Sequence, residues 1–346
     1  MNGQKNRYIS VLKQKAGELG AVSELADAVW DKWNPLIELL TGDELDVDAV
    51  KQKAIQSVKK SCKAGAVVFL DFDDVSQIPA AGITEILTTL EQENLIPVPV
   101  VSLSSDQNLI TVFKDFIATR NRRIGVRIYF NEIDNNIGAN VGQLVNSLAL
   151  DIPASHLFID VEHIPEDYIA ALNVAVPITA AQIPSLAQWN TVTLAGTGYP
   201  KVLDVPGASN AVLPRTEWEL WQNVKPQFLQ KVKRFDFGDY TISHPELVDF
   251  DPVRMQISAK IIYATDNDWF VYKGRSVRKL GFQQTHAMCA ALIQRPEFKG
   301  GAFSAGDKYI EDCSTQVASC GNSQTWKRVG TNHHITLVAD QIANQP

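Results

Sequence analysis

What most constrains this chain is a repeated alternation. A short apolar run rich in β-branched residues is followed by a longer segment whose apolar residues recur at helical spacing. The runs fall at 8–12, 35–40, 66–72, 96–103, 124–130, 156–161, 191–195 and 239–243. Segments of helical period lie at 17–30, 47–61, 78–93, 108–119, 138–150, 166–184 and 215–233. Runs that are apolar on both faces and alternate with helices specify a parallel sheet covered by helices. An open doubly wound sheet and a closed barrel both satisfy this, and the count decides between them. Eight units in about 250 residues is the size of the barrel. An open nucleotide-binding sheet also wants a glycine-rich turn after its first strand, and that turn here reads Lys13-Gln-Lys-Ala-Gly-Glu18. The expected fold is α/β: a TIM-like (β/α)8 barrel over 1–250, with a C-terminal α+β extension over 251–346 capping its mouth.

Pro97 and Pro99 inside the fourth run predict a strand that is distorted or begins late, because proline lacks a ladder donor. Past 251 the alternation stops. The runs 256–264 and 269–272 flank Thr265-Asp-Asn-Asp268 and read as a hairpin. Helical segments follow at 282–294, from 307, and from about 332 to 343, with a glycine-rich loop at 299–306. Tryptophans 218, 221, 269 and 326 are expected as core and cap anchors.

Composition narrows the function classes. Hydrophobic residues at 45% and charged residues at 21% are the balance of an ordinary globular protein. A net charge of -7 does not favour broad binding to nucleic acid or to an anionic membrane. No stretch approaches the roughly eighteen apolar residues of a membrane span. The first ten residues lack the apolar core of a secretory signal, so a cytoplasmic protein is expected. Cys62, Cys289, Cys313 and Cys320 lack zinc-ribbon spacing and read as free thiols. The chain contains no phosphate loop, nucleophile elbow or zinc helix, and no motif calls for a cofactor or a metal.

In a barrel, chemistry sits where strands end and βα loops begin. That rule selects Lys13, Lys15 and Glu18 after the first strand, Glu38 at the second, and Asp71 and Asp73 at the third. It adds Ser102 at the fourth, Arg127 and Tyr129 at the fifth, and Asp160 and Glu162 at the sixth. Gly196 and Thr197 follow the seventh; Ser243 and His244 follow the eighth. Converging acids could hold a divalent cation or push one another's pKa apart; equally, they could cap helices or pair with Lys13, Lys15 and Arg127. In the extension, neighbouring histidines of Gly330-Thr-Asn-His-His334 diverge by about 100 degrees on a helix and cannot share one metal. They are expected at a helix N-terminus capped by Thr331 or Asn332, with one imidazole bonding locally; alternatively one of the two reaches the mouth. Lys273, Arg275, Arg278 and Lys279 read as a solvated turn after the hairpin or as a clamp for phosphate or an acidic peptide.

Several segments, in order along nearly the whole chain, resemble the beta protein family of bacteria, prophages and satellite phages. They are Tyr8-Ile-Ser-Val-Leu-Lys-Gln-Lys-Ala-Gly-Glu18, Pro35-Leu-Ile-Glu38, Pro214-Arg-Thr-Glu-Trp218, and Phe237-Gly-Asp-Tyr-Thr-Ile-Ser-His-Pro245. Thr265-Asp-Asn-Asp-Trp269, Lys273-Gly-Arg275 and Gly330-Thr-Asn-His-His-Ile-Thr-Leu337 complete the set. Where the family usually has proline, this chain has Ser10. The resemblance brings no catalytic residue with it. Its shared motifs fall on Lys13, Lys15, Glu18, Glu38, Arg215, Glu217, Asp239, His244, Asp268, Arg275, Asn332 and His333, several of them also strand-end residues.

Satellite-phage members are encoded beside a host-killing protein in an antiphage-defence cassette. The resemblance therefore implies a sensor or regulator of a toxic protein partner, acting through a polar mouth pocket that takes a small or phage-derived ligand. The alternative is a metal-dependent phosphodiesterase or nuclease using Glu38, Asp71, Asp160 and Glu162.

Overall fold

The computed structural model describes residues 6–42, 44, 46–120, 123–206, 208–247 and 257–345. The expected boundary near 250, and Gln256, lie outside the described residues.

Eight parallel strands close into a barrel in the order β1-β2-β3-β4-β5-β6-β7-β9. They are β1 (Tyr8–Lys13), β2 (Trp33–Glu38), β3 (Val67–Asp71), β4 (Ile96–Ser102), β5 (Gly125–Tyr129), β6 (His156–His163), β7 (Thr191–Thr197) and β9 (Phe235–Asp239). Between them lie α1 (Ala16–Val22), α2 (Asp27–Trp30), α3 (Val47–Ser61), α4 (Ala80–Gln92), α5 (Gln107–Arg120), α6 (Ile137–Ser147), α7 (Ile169–Ala180) and α8 (Thr216–Leu229). Helix α3 is representative. Asp46 caps its first turn by accepting from the Asp48 amide, and Val50, Ala54, Ile55 and Val58 form the face it buries.

The period of two along each strand sorts residues to opposite faces. On β1, Tyr8 and Leu12 join the large cluster between strands and helices; Ile9 and Val11 join Leu36, Phe69, Val98, Val100, Phe158 and Tyr240 in a second cluster, which fills the barrel interior. Continuing those interior columns by two residues gives Lys13, Glu38, Asp71, Ser102 and Asp160. The polar mouth is thus the last layer of the barrel's own packing.

Three strands depart from expectation. β2 runs from 33 to 38 rather than 35 to 40, carrying Pro35 opposite Ser10. At Ser10 a buried hydroxyl accepts from the Trp33 indole at 2.9 Å. β4 is regular from Ile96, with Pro97 opposite Val68 and Pro99 opposite Leu70. The amide of Ile96 donates to Ala66 beside β3, so the alternate positions 97 and 99 face β5, whose pairing with β4 starts at Val100. The missing donors fall where there is no ladder to interrupt. The eighth barrel strand, expected at 239–243, is at 235–239. Phe235 and Phe237 pack on Trp221, and Thr241 has a positive φ of 54° that ends the extended run.

The extension holds an antiparallel sheet ordered β10-β11-β8, from β10 (Ser258–Ala264), β11 (Asp268–Ser276) and β8 (Ser209–Pro214). The hairpin is the expected one, but its third strand comes from the loop between β7 and α8. Lys273 and Arg275 lie within β11 rather than in a turn after it. Four helices complete the chain: α9 (Val277–Leu280), α10 (Gln284–Leu292), α11 (Ala305–Ser314) and α12 (Ser323–Ala343). α12 begins nine residues earlier than expected, capped by Asn322 on the Thr325 amide. It packs against α1 and β10, and Ile335, Val338, Ala339 and Ile342 enter the main barrel cluster. Trp218, Trp221, Trp269 and Trp326 are buried.

Candidate functional site

At the mouth, three of the carboxylates converge on one guanidinium. Arg127 on β5 donates from Nε to Asp160 Oδ2 at 2.9 Å, from Nη1 to Asp71 Oδ2 at 2.8 Å, and from Nη2 to Glu38 Oε1 at 3.0 Å. It also donates to the Tyr240 hydroxyl at 2.7 Å, which in turn donates a hydrogen bond to Asp160 Oδ2 at 2.7 Å. Arg127 and Asp160 are 1% and 0% exposed, so each charge depends on the other for compensation. Burial pushes the Asp71 carboxyl up to about 7 against the pull of Arg127. A divalent cation shared by Glu38, Asp71 and Asp160 would need the point that the guanidinium fills. Glu162 stands apart, at a positive φ of 59° in the β6 bulge, accepting from the Asn131 amide at 2.9 Å. Burial and Asp160 raise its pKa.

Lys13 links this cluster to the next. Its ammonium is 3.2 Å from Glu38 Oε2 and donates to the carbonyls of His244 and Pro245. Glu18, one turn into α1, folds back: Oε2 accepts from the Lys13 amide at 2.6 Å and Oε1 from the Ser243 hydroxyl at 3.1 Å. Lys15 is exposed. His244 accepts at Nδ1 from the Glu246 amide and lies 5.1 Å, ring to ring, from His163. Burial, with the charges of His163, Lys201 and Lys13, brings its pKa down to about 4, so the ring is neutral at pH 7.

Two cavities flank Lys13. One, of about 450 Å3, is lined by Glu38, Glu132, Glu162 and Glu246 among others, with no basic side chain and nothing from the extension among the described residues. The other, of about 660 Å3, runs between the β1, β7 and β9 loops and the extension; Lys13, Lys15, Lys201, Lys260, Lys273 and Lys327 line it, against Glu18 and Glu246.

The remaining expected site residues form a seam rather than a pocket. Asp239, on the outward face of β9, accepts from the Tyr8 hydroxyl and lies 2.7 Å from His334 Nε2. Burial raises the Asp239 carboxyl, but its contacts with His334, Arg215 and Tyr8 hold it below its ordinary range. Arg215 donates to the carbonyls of Thr265 and Asp266 and to Gln341, and its Nε is 3.3 Å from Glu217. Burial pushes Glu217 up to about 7.

The expectation of a helix N-terminus at 331–334 is overturned, because this tract is the buried middle of α12. A Cβ at Gly330 would meet the Ile262 carbonyl at 2.9 Å, so glycine permits the helix to lie against the sheet. Asn332 accepts from the Gly306 amide and donates to the Ala21 carbonyl. His333 bonds Asp307 and the Ala264 carbonyl, both at 2.8 Å, and does not line the mouth. The imidazole that reaches a barrel strand is His334. Asp268 opens β11, its amide bonded to Thr265. Arg275 is exposed, its main chain bonded to Gln284, and it lines neither cavity.

A family model described as "Beta protein" matches residues 8–340. The chain belongs to the beta protein family. No curated protein matches it. Among solved structures it is similar to the carboxyl transferase domain of Rhizobium etli pyruvate carboxylase, at 10% identity and TM-score 0.37, over 68% of this chain and 40% of that one. It is also similar to a 3-keto-D-glucoside 4-epimerase from E. coli, at 9% identity and TM-score 0.35, over 72% and 95%. The family's motifs divide between the mouth and the seam. Arg127, Tyr240, Lys260 and Lys327 are site residues outside those motifs or not chosen from them. The strand-end rule selects Arg127, whereas Lys260 and Lys327 carry no sequence signal that joins them to β1.

No helix among the described residues is long and apolar enough to cross a membrane.

Proposed function

We propose that this protein is a cytoplasmic, ligand-binding sensor or regulator in a prophage- or satellite-encoded antiphage-defence cassette, restraining or releasing a toxic protein partner. One observation carries the binding part of this reading. The larger mouth cavity is lined from both bodies of the chain, by Lys13, Ser243 and His244 on the barrel side and Lys260, Trp326 and Lys327 on the extension. An occupant touches both, and a ligand that favours one arrangement of barrel and extension shifts the population a partner meets. Three of the four carboxylates that a hydrolase would use, Glu38, Asp71 and Asp160, are engaged by Arg127. The defence role rests on the family resemblance.

The test is genetic and then biochemical. Deleting this gene beside an intact neighbour is expected to make the neighbour toxic, and supplying the protein in trans to restore growth. A neighbour that is harmless alone removes the main support for the regulator reading.

A further inference from the structure

We propose that the cleft between the barrel mouth and the extension binds a small phosphate ester of nucleotide size, its phosphates held by lysines and its body by the apolar wall. This rests on the ligand-binding reading above and names its ligand class.

The chain carries a net charge of -7, yet among the described residues six lysines and two carboxylates line this cavity. Four of the lysines have structural partners. Lys13 holds Glu38, and Lys201 holds Glu246. Lys273 donates to the carbonyls of Leu203 and Val205, and Lys327 donates to Ser243 and the Ile242 carbonyl and pairs with Glu18 at 3.5 Å. The side chains of Lys15 and Lys260 have no hydrogen bond or ion pair among the described residues.

Crowded cations repel one another. Burial and the charges of Lys327 and Lys273 lower the Lys260 pKa, and burial with the charges of Lys13 and Lys15 lowers that of Lys327 despite the opposing pull of Glu18. An anion placed among them relieves both costs. Lysines act as point charges and suit phosphate.

The rest of the wall is apolar, with Ile262, Phe282 and Trp326 from the extension. Tyr199, also on the wall, keeps a buried hydroxyl without a partner among the described residues. A volume of about 660 Å3 suits a small molecule rather than a polymer, and the overall negative charge opposes a nucleic-acid strand.

Calorimetry on the full chain with ATP, GTP and inorganic pyrophosphate tests this. At least one nucleotide is expected to bind one to one, more tightly than pyrophosphate. The double variant Lys15→Gln/Lys260→Gln is expected to weaken it by about tenfold or more. Neither side chain has a hydrogen bond or ion pair among the described residues, so the fold is retained, which an unchanged melting curve checks. Raising salt from about 0.05 to about 0.3 M is expected to weaken binding as well. No binding of any probe at millimolar concentration overturns the proposal, as does binding that the double variant leaves intact. Pyrophosphate binding as tightly as the nucleotides overturns the part assigned to the apolar wall. Normal restraint of the partner without nucleotide binding sinks this site and spares the regulator reading; nucleotide binding with no effect of gene deletion does the reverse.

Discussion

The two sectors of the mouth use charge in opposite ways. Around β2 to β6, Glu38, Asp71 and Asp160 are knotted to Arg127 and Tyr240, and each partner compensates another. Around β1, β7 and β9, six lysines face only two carboxylates under the extension, and the side chains of Lys15 and Lys260 have no partner among the described residues. Lys13 belongs to both sectors, since it pairs with Glu38 and lines the lysine cleft. A buried network in which every member is satisfied contributes to the fold, whereas an unbalanced cluster is maintained at a cost and waits for a counter-charge. The acidic sector thus belongs to the barrel's architecture and the lysine sector, as proposed, to binding.

Arg127→Met is the largest test of that division. It leaves Asp71 and Asp160 buried without their cation, and a loss of about 3–5 kcal/mol in urea unfolding is expected. A loss below about 1 kcal/mol would mean that the carboxylates find water or another partner, and the acidic sector would then be open for chemistry after all.

The barrel was legible because its signal is local and repeated: eight apolar runs, each with its helix, and strand ends that list the mouth by position. The seam was not. Arg215 meets Thr265 and Gln341, and Asp239 meets His334, across separations that no periodicity encodes. Strand β8 was missed because its solvent-facing edge, with Val212 exposed, lacks the doubly apolar signature of its barrel neighbours. The tract at 330–334 misled for a related reason. Glycine, threonine and asparagine are the residues of helix ends, and here they serve close approach and hydrogen bonding inside a helix. Asp239 comes from the family motifs, at the start of a strand expected over 239–243; it ends β9 instead, and strand parity turns it outward.

The roof of the lysine sector offers the next test. Asn332→Ala removes the bonds to the Gly306 amide and the Ala21 carbonyl, both buried. A loss of about 1–3 kcal/mol is expected. If the roof carries the coupling, nucleotide affinity falls with it, while an unchanged affinity would assign the lysines' geometry to the barrel side alone.

Glu217 tests the same roof by pH. Its folded pKa of about 7 lies above the ordinary 4.5, so its contribution is present below 4.5 and is lost as pH rises toward 7. Glu217→Gln keeps an acceptor for the Gly198 amide but has no proton to lose. Stability measured across that window should therefore fall less with pH in the variant than in the parent. Identical slopes would mean that Arg215 keeps Glu217 ionised throughout.

The smallest expected effect is the most discriminating. Lys260 lies on β10 with no partner among the described residues, and the charges of Lys273 and Lys327 oppose its own. Lys260→Met is therefore expected to leave stability within about 0.5 kcal/mol of the parent, or to raise it slightly. The contrast with Arg127→Met is the point. Both substitutions delete one cation from the same mouth, yet one should unfold the chain readily and the other should pass unnoticed until a ligand is added. If Lys260→Met costs as much as Arg127→Met, the lysines are structural too, and the division of the mouth into an architectural sector and a binding sector fails.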